Sequence, residues 1–331
     1  MSGALRAGDL VEVRGAEEIL ATLDPAASTA GLPFMPEMLQ YCGRRFVVSA
    51  RAERICDTIG SYGSMRLPDA VVLEDLRCDG TCHGGCEAEC RVFWKEAWLR
   101  RLGHGDDLSP SAADVGNLAE FERRLPGSCV SGTPEIPDGA IYRCQATELV
   151  RASQRIRLID PRPFLRVLRS GGVPLTRFVR VLGRALLWET RRKLGRLPSA
   201  HLAGDGSPVP RPEEIGLRPG DWVQVRTPEE IRKTLSPKGK NRGLWFDREM
   251  LPFCGKTYRV RRRVTRIVDE RTGRMITMKS DCITLDGVAC SGERSLGRWF
   301  CPRAIFPFWR ESWLRRVGTP SGGATGPSGR T

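Results

Sequence analysis

Between Arg77 and Leu99 the chain reads RCDGTCHGGCEAECRVFWKEAWL, which sets Cys78, Cys82, His83, Cys86 and Cys90 within thirteen residues. Thiolate sulfur and imidazole nitrogen are the donors that Zn²⁺ takes in structural sites, and tight turns bring such donors together. A sparser set lies near the other end. Cys254, Cys282, Cys290 and Cys301 are separated by 27, 7 and 10 residues. The spacings match no short motif, so the signal is the count of four, which is what a tetrahedral ion needs. Glycines close to Cys254 and Cys290 suit a knuckle whose backbone N–H groups reach the sulfur. We therefore expect zinc on Cys254, Cys282, Cys290 and Cys301, against the plainer reading of buried unligated thiols.

The two sets are related. Sliding the chain along itself by 212 positions lays LRAGDLVEVRGAEEI (Leu5 to Ile19) on LRPGDWVQVRTPEEI (Leu217 to Ile231). Cys42-Gly43 then falls on Cys254-Gly255, Asp57 on Asp269 and Cys78 on Cys290. After a three-residue insertion Cys86 meets Cys301, and Trp94 and Trp98 meet Trp309 and Trp313. A repeat of this length divides the chain into two homologous modules. The first keeps Cys42, Cys78 and Cys86, but Ala70 stands where the second has Cys282. Cys90 is the expected fourth ligand, with His83 next and Cys56 and Cys82 behind them.

The surplus of ligands in the first module opens two further chemistries. Cys78, Cys86 and Cys90, joined by Cys144, could hold an iron–sulfur cluster, which also takes thiolates. A thiolate beside His83 in a Gly-rich turn would have a lowered pKa and react as a nucleophile.

These ligands need a scaffold. Each module opens with a Gly-Asp turn and an alternating strand (10–14, 222–226), followed by a short helical turn at Glu17-Glu18-Ile19 or Glu229-Glu230-Ile231. A further strand is expected after each Cys-Gly pair (45–50, 257–264), with a hairpin turning at 270–274 and returning over 275–285. Trp94/Trp98 and Trp309/Trp313 have helical spacing and read as core anchors of a closing helix. The middle region is read as linker from 103 to 116, a short helix at 117–125, a loop at 127–139 and a helix over 141–153 carrying Cys144. Another helix should start at Asp160-Pro161 and stop at Gly171-Gly172. The last, over 175–194, has an apolar stripe of Leu175, Phe178, Val179, Leu182 and Leu186 among arginines.

The totals set bounds. Lys and Arg number 53 against 39 Asp and Glu, a net charge of +14 that favours polyanionic partners, nucleic acid first. No apolar run reaches membrane-spanning length and the start lacks a secretory stretch, so the expected location is the cytoplasm, without a membrane partner. Twelve cysteines there read as thiols or ligands rather than disulfides. P-loop, dinucleotide fingerprint, HExxH and G-x-S-x-G motifs are missing. Only His83, His104 and His201 are present, which argues against a His-rich catalytic centre.

The blocks GDWVQVR, EMLPFCGKTYRV, RCDG with HGGC, FWKEAWL and CQATEL resemble an uncharacterised group of bacterial proteins that share them. The resemblance implies that His83, Cys86, Cys90 and Cys144 matter and sets Cys82 apart as peculiar to this chain; it carries no activity. The opening GDxVxV followed by strands resembles SH3-like and KOW-type barrels. The expected architecture is α+β: two small β-barrel-like modules with Cys-rich metal sites at 1–105 and 215–318, a helical middle region at 106–214 and a disordered tail at 319–331. The expected function is a zinc-binding module that contacts nucleic acid or a protein. The alternative is a metalloenzyme or redox protein using Cys78, His83, Cys86 and Cys90, with zinc or an iron–sulfur cluster. Cys42, Cys254, Cys282, Cys290 and Cys301 complete the expected ligands, and Cys56, Cys82, Cys129 and Cys144 have no assigned role.

Overall fold

The computed structural model describes residues 3–60, 63–103, 123, 130–131, 140–157, 160–194, 202–206, 215–295 and 297–319. The expectations for His104, His201, Cys129, most of the helix at 117–125 and nearly all of the tail lie outside them.

The alternation in LVEV turns Val11 and Val13 fully inward on the strand Leu10–Val13. This strand pairs antiparallel with Arg45–Arg51 on one side and Leu99–Arg101 on the other. Ala70–Arg77 adds next to Arg45–Arg51, and Arg91–Lys95 closes the row of five. Register shifts between Val48 and Ala50, and between Val72 and Arg77, mark irregularities of the kind that bend a sheet. The result is a curled half-barrel sheet in an α+β chain.

The same succession recurs further along. Trp222–Val225 lies between Thr257–Arg263 and Leu314–Arg316, with Ile283–Leu285 beyond Thr257–Arg263. The fifth strand shrinks to one bridge: Ile283 pairs with Trp309, as Val71 pairs with Trp94. The short helices Ala16–Leu20 and Pro228–Arg232, and the 3₁₀ turns Pro36–Tyr41 and Arg248–Phe253, also recur at matching places. The expected return strand over 275–285 is broken into Met275–Thr277 and Ile283–Leu285.

No closing helix carries the tryptophans. Trp94 lies in the strand Arg91–Lys95 and Trp98 in the 3₁₀ turn Glu96–Trp98; Trp313 lies in the turn Glu311–Trp313. A strand residue and the turn residue four later can share one face, so the spacing did not specify a helix. As core anchors they are as expected, all four being fully buried.

Compactness divides the chain differently from the expected borders. One unit takes Met1–Leu182 together with Arg266–Ile276 and Gly297–Arg303; the other takes Gly183–Thr265, 277–296 and Ala304–Thr331. The first thus includes much of the middle region. There Ile141–Tyr142 is a strand and Gln145–Ala152 a helix whose N-cap is Cys144. Gln145 fastens that helix to the sheet: its oxygen accepts from Phe93 N at 2.8 Å, and its nitrogen donates to Phe93 O at 2.9 Å and Pro33 O at 3.0 Å. Gln145→Ala would strand these buried backbone groups, and we expect a loss of about 1–3 kcal/mol in urea unfolding.

The helices Arg162–Arg169 and Leu175–Lys193 form as the sequence indicates. The stripe on the second is rotated. Phe178 and Val181 are buried with Val167 and Phe300, whereas Leu175, Val179 and Leu186 are exposed. Among the described residues no helix is long and apolar enough to cross a membrane.

Candidate metal centre

Three local devices converge in the first unit. The turn Pro36–Tyr41 begins with a proline that presets its backbone and carries Glu37 at its second position. Cys78 directly follows the strand Ala70–Arg77 and is held by its N–H bond to Cys90 O at 2.9 Å. His83 ends the turn Thr81–His83. Asp79 starts that turn by accepting from Thr81 N at 2.9 Å. Gly80 then takes φ 78° and its carbonyl accepts from both His83 N and Gly85 N at 3.0 Å. A Cβ on Gly80 would stand 2.0 Å from Cys86 O, so only glycine permits this loop.

Among the described residues, one group of three or more His, Cys, Asp or Glu brings its ligand atoms within 4.8 Å of one another: Glu37, Cys78 and His83. Cys78 Sγ lies 3.5 Å from Glu37 Oε1, and His83 Nδ1 lies 3.8 Å from the same oxygen. Tetrahedral zinc with bonds near 2.0 Å to O and N and 2.3 Å to S separates its ligand atoms by about 3.3–3.5 Å. The spacing is close to that of a single ion.

The electrostatics agree with such a fit. The His83 and Glu37 side chains are only 1% and 4% exposed, yet both His83 nitrogens and Glu37 Oε2 lack any hydrogen-bond partner. Buried polar atoms are rarely left so, and each one in a native structure calls for an explanation such as a bound ion. Burial lowers the pKa of His83 against the pull of Glu37, which keeps the imidazole in its neutral, ligating form. Burial, then the nearby Glu37, pushes the Cys78 thiol well up, so without an ion it stays protonated and donates to Glu37.

The second half offers a comparison at the aligned position. Glu249 stands where Glu37 does in the repeat. Its Oε1 accepts from Arg294 N and Ser295 N, and its Oε2 from Ser291 N and, at 2.7 Å, Ser291 Oγ. Backbone N–H groups there supply the positive partners that Glu37 lacks. Glu249→Gln should cost at least one charged hydrogen bond, about 1.5–3 kcal/mol in urea unfolding. Metal content should be unchanged.

The sequence-expected ligands are only partly gathered. Cys78 and His83 meet; Cys42, Cys82, Cys86 and Cys90 do not join them. Cys86 Sγ instead accepts from Val268 N at 3.3 Å, and burial pushes Cys90 up to about 12 and Cys144 to about 11. Cys254, Cys282, Cys290 and Cys301 form no such group either. Cys301 belongs to the segment of the first unit that faces Cys56, whose N–H it accepts at 3.2 Å. Cys254 Sγ lies 4.0 Å from Met250 O in its own turn, and Cys290 N bonds Ile305 O. Sequence reading missed Glu37. Its available signal was the alignment of one acid in each repeat, Glu37 on Glu249, within matching Glu-Met and Cys-Gly blocks.

Neither a family model nor a curated protein matches this chain.

Proposed function

We propose that the protein is a zinc-binding protein whose ion is held by Glu37, Cys78 and His83. The observation that carries this is the buried, unpartnered set of Glu37 Oε2, His83 Nδ1 and His83 Nε2 next to the Cys78 sulfur. One carboxylate, one thiolate and one imidazole make a ligand set that suits zinc, and three protein ligands leave a fourth position open. An open position is the mark of catalytic rather than purely structural zinc, so the site supports a metalloenzyme ahead of a nucleic-acid- or protein-binding module. Bound zinc would supply Lewis acidity there and lower the pKa of a water in that position. The two halves are read as products of one duplication, in which the first kept an ion site and the second closed it around Glu249.

A second reading has its own support. Cys90 and Cys144 raise the pKa of Cys78, and Cys86 raises those of Cys90 and Cys144, so negative charge at one of these thiols is felt at another. Thiols gathered more widely than one ion requires suit an iron–sulfur cluster.

Metal analysis of anaerobically purified protein separates the readings. About one zinc per chain in colourless protein, lost in Glu37→Gln and His83→Ala, is the expected result. Iron and sulfide in a brown protein would replace it with the second reading. Cobalt substitution then tests the open position: the visible spectrum should shift when a hydroxamate is added, and an unmoved spectrum would return the site to a structural role.

A further inference from the structure

Cys56 and Cys301 are 245 positions apart and meet inside the first unit without using any residue of the Glu37 site. Cys56 ends the short strand Ile55–Cys56, and its backbone N–H donates to Cys301 Sγ at 3.2 Å. Both thiols are nearly closed off, at 5% and 8% exposure. The position of Cys301 is imposed by its neighbour: Phe300 holds φ 66°, unfavourable for a side-chain-bearing residue, and stacks on Phe178 with centroids 5.1 Å apart.

A cation attends the pair. Arg303 Nη1 lies 3.9 Å from Cys56 Sγ and donates to Cys56 O at 3.3 Å and Thr58 Oγ1 at 3.0 Å; Nη2 binds Glu270 Oε1 at 2.7 Å. Thr58 closes the ring by donating to Glu270 Oε2. A guanidinium pinned by four acceptors cannot swing away, so its charge stays beside the sulfur. A hydrogen bond from the Cys301 thiol, followed by the charges of Arg303 and Arg298, pulls the Cys56 pKa down against burial, while burial pushes Cys301 up. One sulfur is thus poised as thiolate and the other as thiol, an asymmetry that suits attack by the first and resolution by the second.

We propose that Cys56 and Cys301 are a reversible dithiol–disulfide pair, oxidised by a small hydroperoxide. The Cys56 thiolate attacks a peroxide oxygen; the S–O bond forms, the O–O bond breaks, and the departing hydroxide takes a proton to become water. The Cys301 sulfur then attacks the sulfenic acid; the S–S bond forms, the S–O bond breaks, and the hydroxyl leaves as water with the Cys301 proton. One hydrogen peroxide and two thiols give one disulfide and two waters, with the sulfurs oxidised and the peroxide oxygens reduced. A thiol reductant reverses the link by exchange.

The test uses the full-length protein treated with hydrogen peroxide, alkylated with N-ethylmaleimide and digested without reductant for mass spectrometry. The expected result is one linked species joining the Cys56 and Cys301 peptides, lighter than their sum by two hydrogens and returned to free thiols by dithiothreitol. Cys56→Ser and Cys301→Ser should each abolish it, and His83→Ala should leave it intact whatever its zinc content. The proposal is overturned if both cysteines stay separately alkylated while others oxidise, if either ends as sulfinic acid unlinked, or if Cys56 pairs with a different cysteine.

Discussion

Trp98→Ala and Trp313→Ala are each expected to cost about 3–5 kcal/mol, the range for emptying a core aromatic site. Both indoles are fully buried, and each meets one phenylalanine edge-on: Phe34 at 5.1 Å and Phe246 at 5.2 Å. Each also has its N–H satisfied inside the core. Trp98 Nε1 donates to Thr22 Oγ1 and Thr29 Oγ1, and Trp313 Nε1 to Thr234 Oγ1 at 2.9 Å. Alanine would leave a cavity and remove the donor that the threonine oxygens accept from, while each hydroxyl keeps its own bond to a backbone carbonyl. Phenylalanine keeps much of the volume and loses the hydrogen bond, so Trp98→Phe should retain more of the stability than Trp98→Ala. Urea midpoints read with an unchanged slope would check the order. Equal losses for Phe and Ala would show that the indole N–H, rather than packing, dominates.

The second large effect is the response to zinc. An ion that binds the folded chain and not the unfolded one stabilises it by about 2.7 kcal/mol at a free concentration one hundred times Kd. Wild-type protein should therefore melt at a higher temperature with zinc than with chelator. His83→Ala removes one of three ligands and should weaken binding by at least about 10–100-fold, the range seen even for outer-shell partners of metal ligands. Its melting temperature should move little between the two conditions. A variant that still responds like wild type would place the ion elsewhere. Cys78→Ser, which keeps size and loses the soft donor, guards against a loss caused by misfolding.

The scaffold was more legible than the site, for a physical reason. Strand and turn signals are local, so the Gly-Asp turn, the LVEV alternation and the Pro161 helix start each acted within a few residues. Spacing failed where one pattern had two solutions. Four-residue spacing of tryptophans served a strand followed by a turn, and the apolar positions of Leu175–Lys193 included some that face solvent. The proposed ligand set depends on contacts between distant segments, which spacing does not encode. Counting four cysteines in one repeat assumed they fold together, but Cys301 is carried by a segment that packs with Cys56. Glu37 was invisible to a search for sulfur and imidazole, since a lone glutamate before a Met carries no mark of being buried.

The first unit is interrupted in the chain, and that affects its biosynthesis. Residues up to Leu182 leave the ribosome long before Arg303, the last residue that the unit requires. At roughly 5–20 residues per second, the intervening stretch takes several seconds or more to synthesise. During that interval the strand Ile55–Cys56 has neither Cys301 nor Arg303 to meet, and Glu87 has no Arg266. Completion of this unit therefore waits for the synthesis of Arg303, and a fragment ending at Leu182 would lack two of the segments that the unit requires.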